Sequence, residues 1–253
     1  MAILKMEMGG VIAVGTKKIA IQTQLWGNSN LEQDFQPIFD EARNAGYEGA
    51  ECRFTVLKQK ERLKLYLTEH SFTLVGVHAS PEAFFDHGIP KPELDSILAD
   101  MQDLNVMRLL ISGGNLANLQ DIMILADRCR AVGIELLYHN HAYEFEPGYQ
   151  IFDELLKHPG VAIALDIGWL YRAGHKLEDF LDRYGERIRY FHIKDTTPDQ
   201  WRELGTGDLD MKAVIKLIEQ IPMDWWTVEQ DNSELKAFES AAQSRKFLAQ
   251  SDY

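Results

Sequence analysis

The residue order predicts an α/β chain folded as a single-domain (β/α)8 TIM barrel, and three observations predict it. Short apolar runs alternate with longer stretches of helical spacing, and the alternation repeats eight times along the chain. Several of the apolar runs end abruptly in an ionisable residue. The chain has 253 residues, and barrels of this kind close as one domain at about 250 residues.

Residues 1–17 read as a leader outside the barrel, and 18–253 as the barrel itself. Residues 18–26 (KIAIQTQLW) read as the first strand, followed by a helix over 31–44 whose Phe35, Ile38, Phe39 and Ala42 fall on one face. A second strand over 47–54 precedes a charged helix to Glu69, and a third over 73–78 precedes a helix over about 91–104. Residues 106–111 lead through Ser112, Gly113 and Gly114 into a helix ending near Ala131. Strands over 134–139, 161–166, 188–193 and 225–229 follow, separated by amphipathic stretches at 151–157, 177–184 and 211–220, with a last helix over 235–248. Such crossovers make successive strands parallel. The rival, an open doubly wound sheet, usually carries GxGxxG after its first strand, whereas this chain has Trp26-Gly27-Asn28-Ser29.

Composition narrows the function. A formal charge of −13 argues against nucleic acid and anionic membranes, since both are held by Lys and Arg. No segment approaches the ~20 apolar residues of a membrane span, and Cys52 and Cys129 lack CxxC spacing, so buried thiols in a cytoplasmic protein are the simplest reading.

The stronger signal is where ionisable residues fall. Asp166, His192 and Glu229 each close an otherwise apolar strand. Side chains alternate across a strand, so an inward Asp166 places Ala164 and Ala162 inward and Ile163 and Leu165 toward the helices. By the same parity Tyr190 shares the inward face with His192, and Thr227 with Glu229. The three ionisable residues then converge at the C-terminal mouth, where barrel active sites lie. Two carboxylates and an imidazole suit one Mn2+, Mg2+, Co2+ or Zn2+ ion. Taken singly, each residue could instead be a cap, a satisfied core group or half of a surface ion pair; jointly, three such burials need a shared counter-charge. On the fifth strand His139 and His141 share a face and could coordinate metal or move a proton, with Glu144 and Glu146 in the loop beyond.

At these residues the chain resembles the xylose isomerase-like barrel superfamily, in its sugar phosphate isomerase/epimerase branch. The matching pieces are YHNHAYEFE (138–146), LDIGWLYRAG (165–174), HIKD (192–195), LGTGDLD (204–210) and VEQD (228–231). They run in the right order along nearly the whole chain, and are more specific for the superfamily than for a substrate. The resemblance implies a divalent ion held by Glu, Asp, His and Glu, with the last three carried onto Asp166, His192 and Glu229. Where many relatives have Glu-Asn-His, this chain has His139-Asn140-His141, so the fourth ligand is Glu144 or His139, with Glu144 preferred. That departure puts ketose 3-epimerisation in doubt. A homodimer is a further implication of the resemblance.

The expected activity is isomerisation or epimerisation of a small keto-sugar or sugar phosphate through an enolate, with dehydration of an inosose or 3-keto-glycoside as the alternative. Glu229, His139 and His141 are the candidate acid/base groups. Lys194, read as turned away from His192 along the strand, would bend back over the mouth to stabilise enolate charge. Arg53, His78, Trp169 and Arg172 are candidate substrate contacts, with Trp26 and His175 as weaker ones. Leu204-Gly-Thr-Gly offers a possible phosphate cradle, although two glycines are also ordinary turn chemistry.

Overall fold

The computed structural model describes residues 17–146 and 148–250. The leader expected over 1–17 therefore lies, except for Lys17, outside the described residues. Eight parallel strands close a barrel: β1 (Lys18–Gln22), β2 (Gly49–Arg53), β3 (Thr73–Ala79), β4 (Arg108–Ile111), β5 (Glu135–His139), β6 (Val161–Asp166), β7 (Ile188–Ile193) and β8 (Trp225–Val228). Each strand pairs with its neighbours in sequence, and β8 closes on β1. Around them pack α1 (Gln36–Asn44), α2 (Lys60–His70), α3 (Leu94–Asp103), α4 (Leu119–Ala131), α5 (Gln150–Leu155), α6 (Leu177–Tyr184), α7 (Met211–Ile218) and α8 (Ala237–Gln250). Among the described residues no helix is long and apolar enough to cross a membrane, and Cys52 and Cys129 are buried free thiols.

The first strand is shorter than its apolar pattern suggested. The Gln22 side chain accepts a hydrogen bond from the Gln24 N–H, which caps a 3-10 turn over Thr23–Trp26 and ends the extended run.

Parity along the strands separates two cores. Ala20, Val75, Leu110, Leu137, Ala164 and Tyr190 fill the barrel interior, with Ala162 packed against them, while Ile163 and Leu165 join the much larger layer between strands and helices. Small residues on β1 and β6 leave room for Tyr190, whose hydroxyl accepts from Thr227 Oγ1 at 2.6 Å inside the barrel. This buried pair lies one inward position below the strand ends, because Thr227 and Tyr190 each precede an inward residue, Glu229 and His192, by two.

The loop after β7 is built on one carboxylate. Asp195 is buried and accepts from the N–H groups of Thr196 (2.8 Å), Gly205 (2.9 Å), Gly207 (2.9 Å) and Leu209 (3.4 Å). A Cβ at residue 207 would collide with that carboxylate, so the close approach requires glycine there. The phosphate cradle considered for 204–207 is therefore filled by the chain's own Asp195, which takes the N–H groups an anion would need. The same loop carries a two-stranded ribbon, Asp195–Thr196 with Trp201–Arg202, and so places Trp201.

Replacing Asp195 leaves these donors without their acceptor, at about 1–3 kcal/mol for each buried group that water cannot reach. We expect Asp195→Ala to lose on the order of 3 kcal/mol in urea denaturation. A midpoint equal to that of the wild type would remove the carboxylate from this structural role.

Candidate metal centre

Six ionisable side chains meet at the C-terminal ends of the strands. His139 ends β5, Asp166 ends β6, His192 lies on β7, and Glu229 follows β8, its N–H still paired to the Ile193 carbonyl at 3.1 Å. Glu51 on β2 and His78 on β3 complete the group. All six are buried. Register explains the convergence: Asp166 lies beside His192, Thr227 beside His192, and His139 beside Ala164.

His139, Asp166, His192 and Glu229 each offer one ligand atom, and these atoms lie within 4.8 Å of one another. Ligands about 2.0–2.2 Å from one ion stand at most about 4.4 Å apart, so the group is already near coordination size. His192 holds the centre. Its Nε2 is 2.6 Å from Glu51 Oε2 and its Nδ1 is 2.6 Å from Glu229 Oε2. His139 Nε2 lies 3.5 Å from Glu229 Oε2 and 3.6 Å from Asp166 Oδ2. Several of these buried atoms lack a hydrogen-bond partner of good geometry, namely both His139 nitrogens, His192 Nδ1 and Glu229 Oε2. Buried polar atoms are normally satisfied, and unsatisfied imidazole and carboxylate atoms converging on one point fit a divalent cation.

The charges agree with that fit. Burial by itself would raise the Glu51 carboxyl, but the imidazoles of His192 and His78 outweigh it and pull it down to about 2. Burial would likewise raise Glu229 and Asp166; His192 and Lys194 hold Glu229 well down, and Lys194 and His139 lower Asp166. Burial disfavours a charged His192, yet Glu229 and Glu51 raise it well above the ordinary imidazole value. His78 goes the other way: burial, helped by His139 and His192 and opposed by Glu51, lowers it to about 4, so it is neutral at pH 7. Glu51, Asp166 and Glu229 thus outnumber the single ammonium of Lys194, which Asp231 also shares, and a proton on His192 or a divalent ion reduces that surplus.

Lys194 stands inside the site rather than bending over it. Two residues beyond His192, it shares that inward face, because side-chain direction repeats every second residue; the expectation that it turns away misapplied the parity. Its Nζ lies 2.7 Å from Asp231 Oδ2, 3.4 Å from Asp166 Oδ2 and 3.5 Å from Glu229 Oε1. Burial tends to lower this lysine, but Asp166, Glu229 and Asp231 raise it, so it stays an ammonium at neutral pH. Trp201 covers it, with Nζ 4.0 Å from the ring centroid, and Trp169 stands at 5.3 Å. Gly168 permits this packing, since a Cβ there would come within 3.0 Å of both Lys194 and Trp201.

Other expected residues are placed as follows. Glu144, the preferred fourth ligand, does not join the cluster. It accepts from the His141 N–H at 2.7 Å and from the Tyr138 hydroxyl at 3.0 Å, which ties its carboxylate to its own loop. His139 takes the place beside the other three. His141 sits half-buried at the mouth, its ring 5.1 Å from that of His139. His78 bonds Ser112 at 2.9 Å and approaches Glu51 at 3.5 Å. Arg53 ends β2 beside His78 in register. Trp169 donates its backbone N–H to Asp166 Oδ1 at 2.7 Å, as Asp166 caps the helical turn that follows β6, and so fixes that carboxylate. Arg172 lies 3.5 Å over Trp201 and donates to Thr196 Oγ1 at 2.7 Å, so it braces the roof rather than opening toward the mouth. His175 bonds Tyr149 at 3.0 Å, and Trp26 donates to Glu41 at 2.6 Å; both serve local packing.

Sequence reasoning missed Glu51, Asp231 and Trp201. A signal existed for Glu51, which shares a face with Arg53 one layer deeper. Asp231 lies two residues beyond Glu229, past the end of β8. For Trp201, on a ribbon formed after the strand, we find no sequence signal.

Comparisons with known proteins bear on the family and the fold. A family model described as xylose isomerase-like TIM barrel matches residues 116–251, more than half of the chain. An inosose dehydratase of Lacticaseibacillus casei is 23% identical over an alignment covering 88% of this chain and 93% of its own. A sugar phosphate isomerase/epimerase from Parabacteroides distasonis superposes with a TM-score of 0.72 at 20% identity, covering 94% of this chain and 95% of its own. D-Psicose 3-epimerase from Clostridium cellulolyticum gives 0.70 at 14% identity, covering 92% and 99%.

Lys194 compensates three carboxylates from a fully buried position, and removing one partner of such a cluster typically costs about 3–5 kcal/mol. Thermal and urea denaturation of Lys194→Met should show a loss of that order. A change under about 1 kcal/mol would mean that the ammonium is solvated and the cluster compensated elsewhere.

Proposed function

Because this chain belongs to the xylose isomerase-like TIM barrel family, we propose that it is a divalent-metal-dependent isomerase or epimerase of a small keto-sugar, free or phosphorylated. The observation that carries the reading is the convergence of His139, Asp166, His192 and Glu229, with ligand atoms within 4.8 Å, at the mouth of the barrel. These four residues would hold the ion, with His139 where Glu144 was expected. Two imidazoles beside two carboxylates favour Mn2+, Co2+ or Zn2+ over Mg2+. A bound ion of this kind polarises a carbonyl and acidifies the neighbouring C–H.

The chain supplies the rest. Glu51 holds Nε2 of His192 and thereby aims Nδ1 at the cluster, as carboxylates behind a ligating imidazole commonly do. Glu229 reaches the mouth and is held as a carboxylate, so it is the base that takes the α proton. The Lys194 ammonium, 3.5 Å from Glu229 Oε1, stabilises negative charge developing on the substrate oxygen. Trp201 and Trp169 keep water from that ammonium, which strengthens the effect. His141, on the β5 side of the mouth, is placed to return the proton. Delivery to the adjacent carbon isomerises; delivery to the opposite face of the same carbon epimerises.

A second reading is dehydration, in which a β-hydroxyl leaves from the same enolate. The similarity to inosose dehydratase favours it, as does His139, which leaves one side of the substrate without a second carboxylate.

Two measurements test these readings. Mn2+ titration should show affinity falling about 100-fold or more in Asp166→Asn and His192→Asn and little change in Glu144→Gln. In the wild type, affinity should rise from pH 6 to pH 8, because Glu229 and Glu51 favour the proton on His192 and the cation must displace it. Equal loss in Glu144→Gln would restore that residue as a ligand. Solvent-deuterium exchange into ketoses, inososes and 3-keto-glycosides with Mn2+ is the second. Exchange with recovery of an isomer or epimer supports the first reading, an enone or diketone absorbance supports dehydration, and exchange into none of them rejects both.

A further inference from the structure

We infer that Asn140 is a positioning residue for the metal centre: its buried side-chain amide ties the tip of β5 to β6 and so sets where His139 stands relative to Asp166. The inference rests on the function proposed above and names the group that holds its ligand set together.

The two ligands come from neighbouring strands whose backbone pairing does not reach both. The pairing of β5 with β6 ends at His139 beside Ala164, two residues short of Asp166, whereas that of β6 with β7 continues to Asp166 beside His192. Asp166 is therefore held from the β7 side, and its carboxylate by the Trp169 backbone N–H. His139 is the last residue of its strand. Neither of its ring nitrogens has a hydrogen-bond partner of good geometry, so the place of the ring follows from the backbone that carries it. Two residues on, the chain has already turned aside: His141 caps the 3-10 turn over Ala142–Phe145 and gives its N–H to Glu144 at 2.7 Å.

Asn140 closes that gap. Its Nδ2 donates to the Asp166 carbonyl at 3.1 Å and its Oδ1 accepts from the Asp166 N–H at 2.9 Å, with the whole residue buried. One planar group thus offers Asp166 the donor and the acceptor that a peptide group of a longer β5 would offer. An aspartate lacks the donor, and a glutamine carries the amide one methylene further out. Making the tie with a side chain frees the backbone to turn, which brings His141 to the mouth. Both polar atoms of the amide are engaged by the Asp166 backbone, so Asn140 acts through His139 and not as a ligand. Ligand sets of this kind tolerate displacements of only about 0.5 Å, which makes the tie a condition of binding.

The test measures Mn2+ affinity, the visible absorption of the Co2+-loaded protein and urea denaturation in Asn140→Ala, His139→Ala and the double variant. Leu125→Ala, in the layer between strands and helices, controls for lost stability. Asn140→Ala should bind Mn2+ about tenfold more weakly and shift the Co2+ bands, while Leu125→Ala loses stability and keeps both. The double variant should bind within about twofold of His139→Ala, because an amide that works through the imidazole then has nothing to position. Asn140→Ser retains a hydroxyl for one of the two bonds; it should fall in between, and it carries the comparison if the alanine variant does not fold. Wild-type affinity and spectrum in Asn140→Ala, or a double variant about tenfold weaker than His139→Ala, overturns the inference alone. A wild type that binds neither Mn2+ nor Co2+ sinks it together with the metal-dependent function.

Discussion

The site depends on one constraint: carboxylates packed together without water must share positive charge. Glu51, Asp166 and Glu229 come from three different strands and are brought together by barrel closure, not by local sequence. In isolation each burial costs several kcal/mol. Their coexistence is possible because His192 bridges two of them and Lys194 lies against two. Much of the surrounding architecture maintains these two cationic groups. Asp195 shapes the loop that presents Trp201, Trp201 covers Lys194, and Arg172 supports Trp201 from its other contacts.

The barrel and all of the six-residue cluster except Glu51 were legible in the chain for physical reasons. A strand buried on both faces is apolar throughout, so a terminal charge such as Asp166 or Glu229 stands out, and two-residue periodicity shows which face it takes. Ala164 beneath Asp166 and Tyr190 beneath His192 behave as that rule requires. What the chain did not reveal depends on bonds made by side chains to backbone. Glu144 has the right chemistry for a ligand, yet its oxygens are taken by an N–H three residues away and by a neighbouring tyrosine. The glycines at 205 and 207 have the composition of an anion cradle, yet Asp195 occupies it. Glu51 was overshadowed by Arg53 at the strand end, although both face inward.

Proteins named as a sugar phosphate isomerase/epimerase, a 3-epimerase and an inosose dehydratase are similar to this chain, and the function proposed here admits all three outcomes from one enolate. On the function proposed for this chain, each outcome begins with loss of a proton beside a carbonyl. The outcome is decided afterwards by which group stands ready to deliver a proton or assist a leaving hydroxyl. In this chain the groups nearest that decision are His139, His141 and Lys194, none of them a carboxylate. An imidazole and an ammonium carry different proton affinities from a second glutamate, so the proposed function assigns the partition among products to residues outside the Asp166, His192 and Glu229 core.

The Tyr190–Thr227 hydrogen bond has a consequence for how such a molecule changes over generations. It seals the barrel directly beneath the charged cluster, over alanines too small to be reduced and too enclosed to be enlarged. Depth is thereby fixed, and a larger or differently shaped molecule cannot be accommodated by sinking further. New specificity must be written upward, in the exposed positions of the segments that rise from the strand ends, such as Tyr143 and Glu146, whereas Glu144 and Phe145 between them are buried. The sealed floor and the variable rim thus occupy different storeys of one cylinder.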